Sequence, residues 1–135
     1  EDSLGIESGD LGFTSGVEVR TERSKTLVIS SCAAIDQKLL ERIETVEHLL
    51  FDGTVFEDDE MQLLGLGNKT GQRMGHLPIT GSDGPMVRLA YCALKTKHFF
   101  HINNSNPIWD SQSEAYQTIR TAGWDICHDG LVLTI

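Results

Sequence analysis

Short apolar segments rich in β-branched or aromatic residues alternate along this chain with segments whose apolar residues recur at helical spacing, and that alternation constrains the fold most. Val17 and Val19 alternate with Glu18 and Arg20, and Thr26 to Ser30 is β-branched, so two strands joined by the polar turn at 21–25 form a hairpin. From Ile35 the period changes. Ile35, Leu39, Ile43 and Val46 fall on one stripe behind Asp36 as N-cap, which predicts a helix over 36–46. His48 to Phe51 reads as a short strand that stops at Asp52-Gly53-Thr54. Residues 57–84 are glycine-rich, with helical spacing only around 58–64, and a stretch this long in a compact domain is usually functional or disordered.

Pro85 then opens the clearest amphipathic pattern, Met86, Leu89, Ala90, Ala93 and Leu94, which predicts a helix over 85–94. Lys97 to Phe100 reads as a strand ending at His101. Ser111 and Glu114 match a capping box for a helix over 112–122 that Gly123 stops. Residues 124–127 and 131–135 would close the chain as a hairpin across His128-Asp129-Gly130. The order β-β-α-β-(α)-α-β-α-β-β is α/β in class, an α+β layering with helices covering at least one face of the sheet. A length of 135 residues fits one domain, expected over 16–135 behind a flexible N-terminal segment at 1–15. The chain opens on Glu1 rather than Met, so it is expected to be a piece of something longer.

Charge and cysteine content narrow the function classes. Eleven Lys plus Arg against twenty Asp plus Glu leave a net charge of −9 with no basic patch, which argues against a nucleic-acid partner. The apolar run at 46–56 is interrupted by charge and falls far short of the roughly 20 residues that span a bilayer, so a soluble protein is expected. Cys32, Cys92 and Cys127 are odd in number and widely spaced, which suggests neither a disulfide framework nor a zinc knuckle and fits a reducing cytoplasm.

Asp52 and His101 each follow an apolar strand directly, at the end where open α/β sheets present ligands. A carboxylate and an imidazole suit zinc, iron or manganese; an Asx turn for Asp52 and a backbone-bonded strand end for His101 are the plain alternatives. His76, bracketed by Gly75 and Pro78 in the long loop, is a candidate acid, base or ligand, or an ordinary loop histidine. Glu57, Asp58, Asp59 and Glu60 either orient metal ligands or open a helix. The amides of Asn103, Asn104 and Asn106 either point donors at a substrate or form a turn before Pro107.

The segments at 50–61, 69–78, 100–108 and 122–130, with Asp52-Gly-Thr, Gly75-His-Leu-Pro and His101-Ile-Asn-Asn among their residues, together resemble the C-terminal half of the coenzyme PQQ synthesis protein B family. The resemblance extends more weakly through Cys32-Ala-Ala and the strands before it. It implies half of a metallo-β-lactamase-like αββα sandwich, a mixed sheet with helices on one face. It also implies a part in making pyrroloquinoline quinone, through iron-dependent hydroxylation of the tyrosine ring in a peptide-derived precursor. By resemblance, Asp52 is the metal-bridging carboxylate, His101 the C-terminal metal ligand and His76 a catalytic residue. Asn103, Asn104, Asp58 and Glu60 are then expected to contact substrate or orient the ligands, around Fe(II) or Zn(II) in a site this chain leaves incomplete. The family's N-terminal histidine and aspartate motif and its cysteine cluster are missing here, and Ser105 and Trp109 stand where a Thr and a Leu are more usual.

A hydrolase on the same sandwich, and a non-catalytic binding or assembly module for the isolated chain, are the competing readings. Half a sandwich leaves one sheet face bare, with Val17, Val19, Val28, Leu50, Phe99 and Phe100 as its expected residues. A homodimer, or the missing N-terminal half, is the expected cover.

Overall fold

A computed structural model describes residues 15–134, so the segment expected to be flexible lies almost wholly outside the described residues. Five strands form one mixed sheet in chain order: β1 (Gly16–Arg20), β2 (Lys25–Ile29), β3 (His48–Asp52), β4 (Thr96–Phe100) and β5 (Asp125–Ile126). The β1–β2 pair is the predicted antiparallel hairpin, while β2–β3, β3–β4 and β4–β5 are parallel. Parallel neighbours need crossovers, and the helices supply them. Helix α1 (Gln37–Ile43) links β2 to β3; α2 (Glu60–Leu63), α3 (Gly71–Met74) and α4 (Pro85–Arg88) lie between β3 and β4; α5 (Glu114–Thr121) precedes β5.

The register sorts the side chains onto two faces. Leu27 pairs with Leu49, and Ile29 with Phe51, which pairs in turn with Phe99, so these residues share one face. There they join Ile43, Leu89, Ile108, Ile119 and Trp124 in the buried core. Trp124 stacks on Phe99 at 4.1 Å between ring centres and meets Phe51 edge-on. Thr26, Val28, His48, Leu50, His98 and Phe100 lie on the other face, and none of them joins that cluster. Val17 and Val19 are 57% and 45% exposed. Phe99, expected on the bare face, belongs to the core face instead, because the period of 2 sends it opposite to Phe100.

Three other expectations are corrected. The helix over 85–94 ends at Arg88, since Leu89 is fully buried and the chain then turns so that the Lys95 N–H meets the carbonyl of Glu47 beside β3. The last helix is capped by Ser113, whose Oγ accepts the Tyr116 N–H at 3.0 Å; the Ser111 carbonyl takes the Gln117 amide instead. The closing hairpin does not form among the described residues. Gly130 adopts a positive φ and the Leu131 N–H reaches the His128 carbonyl, but no strand returns. Its first half is spent on β4, where Asp125 and Ile126 pair in parallel with His98 and Phe99.

Candidate metal centre

The carboxyl ends of β3 and β4 bring Asp52 and His101 together, and the loop after α3 adds His76. Each offers one ligand atom, and the three atoms lie within 4.8 Å of one another. Asp52 is fully buried, His76 half-buried and His101 exposed. The site therefore has a buried anionic floor and an open rim.

Asp52 is held from four directions. Oδ2 accepts the Cys32 N–H at 2.9 Å and faces His76 Nδ1 at 2.8 Å. Oδ1 accepts the N–H of Thr54 at 3.1 Å and its hydroxyl at 2.7 Å. The Asx turn weighed in the sequence is therefore present as well as the ligand position, because a carboxylate has lone pairs for both. Burial, with Asp52 and Asp36 nearby, pushes the Cys32 thiol up to about 11, which leaves it an inert core group that lends its backbone to the site.

His76 arrives through glycine geometry. Thr70 caps α3 with its hydroxyl, and Gly75 at φ 88 ends it in the left-handed region that a side chain resists. The Leu77 N–H then bonds the Cys32 carbonyl at 2.6 Å, which fastens the His76 turn to the loop after β2. His101 is the only non-glycine residue with positive φ among those described, at 54, a conformation histidine tolerates better than most. Backbone held in this region at a cleft is the usual signature of a functional constraint. The two imidazoles stack, with centres 5.5 Å apart and planes at 21°.

Asn106, 2% exposed, joins the loops that carry Asp52 and His101. Its amide donates to the Gly53 carbonyl at 2.9 Å, and its Oδ1 accepts the Ile108 N–H. Gly53 has no room for a side chain, because a Cβ there would stand 2.8 Å from that of Phe99. Glu60 is buried too, accepting the Phe56 N–H at 2.7 Å and the Ser105 hydroxyl, and so ties α2 to the His101 loop. Asn103 donates to Ser105 Oγ, Asn104 is exposed, and Asp58 accepts the Gln72 N–H. Glu60, Asn103 and Asp58 support the loops, and the structure brings none of the four into the triad.

The residue that the sequence reading missed is Thr54. Its hydroxyl lies 3.0 Å from His76 Nδ1 and 2.9 Å from His101 Nδ1, besides its bond to Asp52. The available signal was a hydroxyl two residues after a strand-end aspartate, where an Asx turn folds it back onto the carboxylate. Two imidazoles and one carboxylate suit Fe(II) or Zn(II), and three protein ligands match an open catalytic site.

No protein-family model matches the chain. The chain is 44% identical over 131 residues to coenzyme PQQ synthesis protein B of Ruegeria pomeroyi, covering 96% of this chain and 44% of that protein. It is 41% identical over 133 residues to the protein of the same name from Xanthomonas campestris, covering 98% and 44%. A crystal structure of Zn2+-bound PqqB from Methylobacterium extorquens matches with a TM-score of 0.86 at 38% identity, covering 89% of this chain and 43% of that one. The chain thus spans less than half the length of the relatives it matches.

Proposed function

Over the 44% of their length that it spans, the chain is a homologue of the coenzyme PQQ synthesis B proteins, and on that premise we propose that it carries part of a metal centre serving pyrroloquinoline quinone synthesis. Asp52, His76 and His101 are its ligands in this chain, and the observation that carries the reading is their convergence within 4.8 Å. The zinc in the Methylobacterium extorquens structure supports a metal at this fold, and the donor set suits Fe(II) as well.

The finer reading is oxygenation of a tyrosine-derived ring in a peptide-derived precursor. Bound Fe(II) supplies the redox chemistry that oxygen needs, where Zn(II) supplies Lewis acidity alone. The chain's own contribution is geometric and electrostatic. Asp52 places a negative charge at the floor of the site and, through Oδ2, holds the His76 ring in place at the rim.

Elemental analysis of the full-length gene product is the test. Iron or zinc near one equivalent, lost in Asp52→Ala and His101→Ala, is the expected result; metal content unchanged in both variants overturns the reading. Oxygen uptake with a tyrosine-containing precursor supports the oxygenase, whereas ester or phosphodiester hydrolysis without oxygen replaces it with a hydrolase.

A further inference from the structure

The hydrogen-bond arithmetic around Thr54 assigns a proton. A threonine hydroxyl has one hydrogen and two lone pairs. Thr54 Oγ1 lies 2.7 Å from Asp52 Oδ1 and 3.1 Å from the His101 carbonyl, both of which only accept. One hydrogen serves one of them well, and the shorter contact to an ionised carboxylate is the stronger. With its hydrogen committed to Asp52, Oγ1 is left as an acceptor toward its remaining neighbours. Those are His76 Nδ1 at 3.0 Å and His101 Nδ1 at 2.9 Å. His76 Nδ1 also faces Asp52 Oδ2, another pure acceptor, so it carries its hydrogen there. For His101 the hydroxyl of Thr54 is the only side-chain partner found for Nδ1 among the described residues.

We propose that Thr54 is a positioning residue: by accepting from Nδ1–H it fixes the neutral His101 ring in one tautomer and leaves the lone pair of Nε2 for a ligand. In the metal-free chain Asp52 receives Cys32 N–H, Thr54 N–H, Thr54 O–H and His76 Nδ1–H, and Thr54 Oγ1 receives His101. Thr54 is 8% exposed, so water does not readily replace it. The unusual φ of 54 at His101 brings both its ring nitrogen and its carbonyl against the same hydroxyl, which accounts for the strained backbone at this position. A carboxylate holding a hydroxyl that holds an imidazole is a longer form of the outer partner that ligating histidines require. The inference rests on the metal reading only for what Nε2 goes on to bind.

Long-range 1H–15N correlation spectra of the metal-free chain at about pH 8.5, where histidine is neutral, read the tautomer directly. Signals of His101 are identified by their loss in His101→Gln. The Nδ1–H form is expected in the wild type and in Thr54→Ser, and a shift to Nε2–H in Thr54→Val. Nε2–H in the wild type overturns the proposal, as does an unchanged tautomer in Thr54→Val. If Thr54→Val does not fold, the wild-type spectrum alone decides. Calorimetry with ZnCl2 on the full-length protein adds a second readout: binding about 10- to 100-fold weaker in Thr54→Val and restored in Thr54→Ser supports the role, and equal binding in Thr54→Val refutes it. A wild type that binds no zinc yet shows the Nδ1–H tautomer sinks the metal reading and leaves this inference standing.

Discussion

The side-chain amide of Asn106 donates to the main-chain carbonyl of Gly53 at 2.9 Å, across 53 residues of sequence, and this bond helps to join the loops that present Asp52 and His101. Removing it in Asn106→Ala strands two buried backbone groups, the Gly53 carbonyl and the Ile108 N–H. A loss of about 1–3 kcal/mol in urea unfolding is expected, together with weaker zinc binding. Wild-type stability in this variant would show that the loops need no such tie.

Gly53→Ala tests the same junction by steric means. The new Cβ meets Phe99 Cβ at 2.8 Å and both Ile102 and the Phe100 carbonyl at 3.2 Å, so β4 must give way. Overpacking of this kind costs about 1–3 kcal/mol, measurable by denaturant titration. Since the displaced strand leads into His101, metal binding falls with stability.

His98 gives the chain an acid-sensitive point. Burial lowers its pKa, Asp125 opposes that, and Arg120 and His48 reinforce it. The buried Nδ1 has no partner among the described residues. A lowered folded-state pKa means that the unfolded chain binds the proton first. Stability is therefore intact above the ordinary histidine pKa of about 6.5 and falls as pH drops below it, by at most about 1.4 kcal/mol per pH unit. His98→Leu should flatten the part of the acid limb that belongs to this residue; an identical slope in the variant refutes the assignment.

The face bearing Val17, Val19, Val28, Leu50 and Phe100 is expected to associate. Val17 pairs with Val28 in the hairpin, which makes the apolar surface continuous from β1 onto β2. Light scattering of the isolated chain at micromolar concentration should return twice the monomer mass, and Val19→Lys should return a monomer, since a charge there must be desolvated at any interface. A monomeric wild type that binds no hydrophobic dye would end this expectation.

Much of this architecture is legible in the sequence because local rules decide it. Asp36 caps α1 through its own carboxylate, and the Val17–Arg20 alternation gives β1. Asp52 and His101 are visible because strands that stop abruptly mark where an α/β sheet presents side chains. Thr54 and Asn106 are harder to see. Their roles depend on partners 47 and 53 residues away, and the one local signal is the Asx turn that folds Thr54 back onto Asp52. The helix at 85–94 fails for a related reason: its apolar spacing is real, but the need to begin β4 at Thr96 ends it early.

His76 reaches Asp52 across 24 residues and His101 reaches Thr54 across 47, so no single element carries two of the ligands. The chelating group does not exist until β3 and β4 have paired in parallel register, which is a non-local event and slow for that reason. An ion offered to the refolding chain finds no preformed pair of donors to nucleate on. Its binding energy is gained only after the barrier to folding has been crossed. Added zinc should therefore slow unfolding while leaving the refolding rate where it was, and stopped-flow measurements on both limbs would show the metal to be a lock rather than a template.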